Sequence, residues 1–527
     1  GQTRIQIISA LGNHQDKQSV RELTEAARDA DAGVANAAIA ALGKIGDPAA
    51  HAAIAALRQA AKPAQARAVA EATLRVAEQL AAAGDQKAAA ALNQGLLASS
   101  SIASVRRGAF GALLRLDKDG GERRIIETLH GRDALLKPIA IAGVGTLKSG
   151  GASKTFAAEL PKLSPQEQVW MIDALATRGD AASRAAIRTA VASQSLPVRL
   201  AAVAALGQIN DTASASLLCA TLAKTPDRNE RQEIASALGQ LRGTAADKAI
   251  LAELKRASGD LRRELIGLAA KRGSRAAVPA LLDEAGGNDA ATAVAAFQAL
   301  AKLAEAADFQ PLLAKLASLK VAAVRDAAED AVARAMVKVS DPARRSATLN
   351  SALVKAADVE TYCSLLRLMP NCGGIDALAG LTVALKDNDA RVRETAVRAL
   401  ADWPDAEAWD TLMGICRQPE KESFRALALR GLVRLAESGN AKPDKALLGR
   451  YRQLFEIARN DDARKLVLGA LAGAASPDAL QLALAQLTNA AVRAEAAAAV
   501  KRIAEAIKAQ HPQAAAAALR QLNSGKP

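Results

Sequence analysis

The chain has 527 residues, half of them apolar, yet only 11 are aromatic. An irregular globular core is filled with large rings, so this composition points instead to helices faced with Ala and Leu, Ala being the strongest helix former. The net charge of +14 comes from 69 Lys and Arg interleaved with 55 Asp and Glu, which excludes a block-charged tail. No apolar run approaches the roughly 18 residues of a membrane span.

In chain order, residues 3–11 already read as the second helix of a hairpin, and no initiator Met or signal peptide precedes them. The expectation is a fragment or processed product whose true start, including any export signal, lies upstream. The same frame returns as VANAAIAALGKIGD at 34–47, VRLAAVAALGQIND at 198–211, ERQEIASALG from Glu230, VRETAVRALADWPD from Val392 and FRALALRGLVRL from Phe424. The Leu before the Gly serves as a phase marker. Its equivalents are Leu11, Leu42, Leu74, Leu113, Val144, Leu175, Leu206, Leu238, Ala269, Leu300, Val332, Met369, Leu400, Leu432, Leu471 and Val500.

Most steps between markers are 31 or 32 residues, which suits two helices of about 12 residues and two short turns. Between markers a further apolar helix is visible, as at 49–60 and 213–224. Neither helix can bury its stripe alone, so pairs must stack on pairs. The turns agree: Gly46-Asp47-Pro48, Ser340-Asp341-Pro342 and Ser476-Pro477-Asp478 place a capping side chain and a Pro at a helix start. Gly12, Gly43, Gly207 and Gly239 are expected to relieve left-handed strain near helix ends. The reading is an all-α solenoid of about 16 hairpins, a single domain over 1–527. Irregular or longer repeats are expected at 75–113, 333–369 and 433–471.

The pattern VRxxAxxALGxxxD resembles HEAT repeats, in the compact form of bilin-lyase-like repeat proteins, over essentially the whole chain. The resemblance implies a right-handed α-α superhelix of the HEAT/armadillo kind, with second helices on the concave side. Similar Ala-rich stretches occur in large exported bacterial proteins. A bacterial source and a periplasmic or secreted location are therefore expected ahead of a cytoplasmic one.

Seven residues before the marker the chain favours Arg: Arg4, Arg67, Arg106, Arg199, Arg231, Arg262, Arg325, Arg393, Arg425, Arg464 and Arg493, with Lys137 once. Ala35, Gln168, Ala293 and Tyr362 depart from it. In the first turn of a helix a cation costs about a few tenths of a kcal/mol against the macrodipole, so something must offset it. The HEAT resemblance implies a ladder between a turn Asp and the Arg of a neighbouring repeat. Candidate partners are Asp387 or Asp389 for Arg393 and Asp227 for Arg231. The other reading is a basic stripe for phosphate or sulfate groups.

Catalytic chemistry is not legible. The four His residues (His14, His51, His130 and His511) form no metal-binding spacing, and no CxxC, GxSxG or phosphate-loop motif occurs. No catalytic, cofactor or metal residue is assigned. Arg178-Gly179-Asp180 falls at a repeat turn and reads as structural. Cys219 and Cys416 read as buried helix residues, while Cys363 and Cys372 could bridge only if the chain folds back sharply. Trp403, Trp409, Tyr362 and Tyr451 gather in the last third and could plug gaps or stack on a ligand.

The leading function is a non-enzymatic interaction scaffold, expected to be a monomer, for another protein or another domain of the same polypeptide. A polyanion, nucleic acid or acidic polysaccharide, is the first alternative. The second is the helical-repeat part of a larger exported enzyme, for instance with a bilin-lyase-like site at a long step.

Overall fold

The computed structural model describes residues 2–60, 62–117, 119–437 and 445–523. Among these are 32 α-helices, several short 3-10 turns and no strand. The chain is all-α. Each of the sixteen markers lies in a helix of its own, from Gln2–Asn13 and Ala32–Ile45 to Asp461–Leu471 and Arg493–Ile507, and these second helices alternate with first helices.

Fourteen markers are at most 1% exposed. Leu11 and Leu74 are half-buried. At Leu74 the phase is one residue off. Ala72 lies against Gly43 as Ala41 lies against Gly12, and the following Thr73 is buried in the marker's place. Thr73 turns its hydroxyl onto the Val69 carbonyl at 2.7 Å, which lets a polar residue hold an apolar site.

The turn chemistry follows expectation. Asp341 and Ser476 cap Pro342–Val354 and Pro477–Ala485 by accepting from backbone N–H groups in the first turn. Asp47 accepts from the amide of Ala49. Each satisfies an otherwise orphaned donor.

The Leu-Gly glycines act differently from expectation. Gly12, Gly43, Gly207 and Gly239 are not among the residues of positive φ; that role falls to Gly46 and Gly179 at helix C-caps. At three of them the missing Cβ permits close backbone approach. A Cβ would come within 2.6 Å of Ala41 Cα at Gly12, 3.0 Å of Ala72 Cα at Gly43 and 2.9 Å of Ala237 Cα at Gly207.

Tertiary contacts divide the chain into two compact units, 1–253 and 254–527. In the first, second helices stack in order, for example Pro165–Arg178 on Leu196–Gln208 on Arg228–Gln240. In the second the same holds for Val359–Cys372, Ala390–Ala401 and Glu422–Glu437. First helices pack on their own second helix, as Trp409–Arg417 does on Glu422–Glu437. The extra residues of 75–113 lengthen Ala66–Ala82 and Gln86–Ser99, and those of 333–369 lengthen Ala322–Val337. In 433–471, residues 438–444 lie outside the described residues.

Candidate interaction surface

The recurring Arg is engaged in a repeated way. Arg199 gives its guanidinium to both carboxylate oxygens of Glu230 at 2.6 and 3.1 Å, and to the carbonyls of Ser193 and Gln194 at 3.0 and 3.3 Å. Arg393 does the same with Glu420 at 2.7 and 2.8 Å and with the carbonyls of Asp387 and Asn388 at 2.7 and 2.9 Å. Arg231 donates to Leu222 and Thr225, Arg262 to Ala257, Arg425 to Cys416, Arg464 to Ala458 and Arg493 to Leu487, each to the carbonyl. Arg325 is buried and reaches the Leu319 carbonyl and the Thr361 hydroxyl. Arg106 pairs with Asp133 instead.

These carbonyls lie at or just beyond the C-terminal end of the first helix of the same hairpin. A cation there satisfies orphaned acceptors and complements the negative end of that helix dipole. This offsets the cost of placing a cation in the first turn of its own helix.

Arg4 and Arg106 each meet an Asp in a turn of the following repeat, Asp29 and Asp133, as the ladder requires, whereas the partners named for Arg231 and Arg393 differ from those anticipated. The carboxylates of Asp227 and Asp389 cap helices, accepting from the amides of Glu230 and Arg391. Asp387 offers Arg393 its backbone carbonyl. The carboxylates come instead from the following repeat: Glu230, Glu420 and, for Lys137, Glu167 at 3.1 Å. The Arg199 hydrogen bond holds the Glu230 carboxyl below the usual Glu range, and Arg393 does the same for Glu420. Arg67 is the exception in kind, pairing only with Glu71 on its own exposed helix face.

A second set of contacts escaped the sequence reading. The side chain of Arg178 is buried and donates to the carbonyls of Val144, Leu147 and Ser149 at 3.2, 2.6 and 2.9 Å, around the end of the preceding second helix, Lys137–Val144. Arg434 reaches the carbonyls of Ala401 and Trp403, Lys338 that of Ala304, and Gln79 those of Gly43 and Lys44. A long polar side chain two to six residues after the buried marker is the signal that could have revealed them. Asp180 caps the next helix through the Ser183 amide, so Arg178-Gly179-Asp180 is spent on the fold.

In the second unit, consecutive second helices carry paired charges on their exposed faces. Arg367 holds Glu329 at 2.6 and 2.9 Å, Arg391 holds Glu360 at 2.7 Å and Arg398 holds Glu394 at 2.6 Å. A cavity of about 540 Å³ lies among them, lined by Glu360, Cys363, Arg367, Arg391 and Arg398.

Comparison with known families decides what these repeats are. The family described as HEAT repeats matches residues 1–75, 154–239 and 346–434. Those three stretches are HEAT repeats. Similar solved structures include a chain from the structure describing how Kap95p binding induces the RanGDP switch loops to adopt the GTP-bound conformation, at 13% identity over 99% of this chain and 86% of that one, TM-score 0.39. Yeast importin-β (Kap95p) is 12% identical over 95% of this chain and 75% of that one, TM-score 0.32. Kap121p bound to Pho4p is 14% identical over 99% and 70%, TM-score 0.32. These overlaps are loose, and the fold assignment stands on the repeat geometry and the family match. No curated protein matches the sequence.

In the second unit three of the four clustered aromatics are core rather than contact surface. Trp403 is buried with its indole N–H on Asp405 at 3.0 Å. Trp409 is buried with its own N–H on Gln453 at 3.2 Å and Arg450 over the ring. Tyr451 is buried, which pushes its hydroxyl up to about 12. Tyr362 is half-buried. No ring face of the three buried residues is available for stacking. All four Cys are free and buried, so Cys363 and Cys372 form no bridge. Desolvation pushes the Cys372 and Cys416 thiols up to about 12, the opposite of an activated nucleophile. Among the described residues no cluster of His, Cys, Asp and Glu could hold a metal, and no helix is long and apolar enough to cross a membrane.

Proposed function

We propose that this HEAT-repeat chain is a non-enzymatic scaffold. It binds another protein, or another domain of its own polypeptide, along the exposed faces of its second helices. The observation that carries this reading is the row of paired charges from Glu329 to Arg398 on three successive second helices. Such a mixed, self-compensated surface favours selection of a complementary protein surface over general attraction of one charge. The Arg row seven residues before the marker belongs to the internal support of this scaffold. Arg199, Arg393 and their equivalents already give their donors to carbonyls and carboxylates.

The test is co-purification of a partner with the intact protein, followed by quantitative binding to the E360R/E394R variant. Binding should weaken at least about tenfold, since like charges placed across an interface are strongly unfavourable. Unchanged affinity for every purified partner would sink the reading.

Polyanion binding is favoured by one observation. Arg75 on Ala66–Ala82, and Arg107 and Arg115 on the next second helix, Ala103–Leu116, make no ion pair among the described residues. On that reading heparin and DNA affinity must fall steeply between low and moderate salt. Failure to be retained at low ionic strength eliminates it.

A further inference from the structure

Of the 11 aromatic side chains, Trp170 is the most open to solvent of those that are not core, at 37% exposed. It lies on Pro165–Arg178 in the first unit, and its indole N–H has no partner among the described residues. Beyond Pro165 at its start, the exposed residues of that helix, Gln166, Trp170, Asp173 and Thr177, recur at helical spacing and form one stripe. Asp173 is the one charged residue of the stripe, and its carboxylate is unpaired among the described residues.

The helices on either side are poor in charge and small. Lys137–Val144 contributes Ile139 and Ala142, and Leu196–Gln208 contributes Ala201 and Ala204, to the partly or fully exposed positions. The cations nearest in register are already committed, Lys137 to Glu167 and Arg199 to Glu230. In a chain of net charge +14, this face therefore offers a ring and one uncompensated negative charge above a floor of small side chains.

We propose that Trp170 and Asp173 form a docking point for a protein segment that presents an Arg or Lys beside small apolar side chains. The cation stacks on the indole face, which is the best aromatic partner for it. The Asp173 carboxylate, one helical turn on, pairs with the same cation. The neighbouring Ala and Ile positions take the apolar side chains. Trp is also the residue type most enriched at the centre of protein interfaces. The inference rests on the scaffold reading and names the kind of partner that reading requires.

The probe is fluorescence anisotropy of the intact protein with three matched sets of short labelled peptides, built from Arg, Glu or Gln combined with Ala and Leu. The Arg set should bind most tightly. W170A should weaken it about tenfold and D173N about threefold, with W170F in between. D173N should melt as the parent does, because its carboxylate is exposed and unpaired among the described residues; Trp170 is 37% exposed, so W170A is compared with the parent at a temperature where both are fully folded. Equal or tighter binding of the Glu set, no binding by any set, or W170A binding the Arg set as tightly as the parent overturns the proposal. The E360R/E394R variant reports on the scaffold reading separately, so loss of one leaves the other standing.

Discussion

Arg199 in the first unit and Arg393 in the second occupy the same place in the repeat and make the same bonds. Each reaches the carbonyls six and five residues before it and grips a Glu of the following repeat with two N–H groups. What differs is the carboxylate. The side chain of Glu230 is 2% exposed and that of Glu420 is 41% exposed. Identical hydrogen-bond geometry therefore has unequal consequences. Removing the cation strands a buried charge in one case and leaves a hydrated one in the other.

The largest expected effect is R199M, which leaves Glu230 buried and unpaired and should cost about 3 kcal/mol. Local hydrogen exchange of Leu196–Gln208 and Arg228–Gln240 is the suitable readout, because repeat stacks open in parts. The same pair predicts an acid sensitivity. The folded carboxyl of Glu230 is lowered, so its contribution is present above the unfolded value of about 4.3 and is lost as pH falls through the folded value. R199M should abolish that part of the pH dependence in denaturant titrations.

Next come the glycines of the same two junctions. Gly207 lies on Ala237 beside the first pair, and Gly431 on Ala401 beside the second, where a Cβ would come within 2.6 Å of Ala401 Cα. G207A and G431A should each cost about 1–3 kcal/mol by overpacking. Similar losses at both sites would show that the junctions differ in charge burial and not in backbone approach. R393M should lower stability by clearly less than R199M in the same exchange experiment, and a larger loss would break the comparison. The smallest effect is expected at Arg67, paired only with exposed Glu71, where R67A should change stability by about 0.5 kcal/mol or less in chemical denaturation.

The frame of the stack was legible because the stack repeats its demands. A buried Leu before a small residue recurs, and an Asp or Ser opens the following helix, whatever surrounds them. Phase slipped only at Leu74, where the Ala-rich helix Ala66–Ala82 seats Thr73 inward and nothing in its composition announces it. The Leu-Gly glycines were visible but their cause was not, since close approach depends on an Ala about 30 residues away. The carboxylate partners were misassigned for a related reason. Asp227 and Asp389 are consumed by the nearest amides, so Arg393 looks to Glu420 of the next repeat, while the turn residues Asp29 and Asp133 do meet Arg4 and Arg106. The partial exposure of Trp170 and the burial of Trp403 are not written in the local sequence.

If the recurring Arg is spent inside the stack, Arg199 and Glu230 must be energetically coupled. A double-mutant cycle of R199M and E230Q in the intact chain tests it most directly. E230Q should relieve much of the R199M loss, with a coupling of about 2 kcal/mol or more. Additive losses within about 0.5 kcal/mol would contradict it.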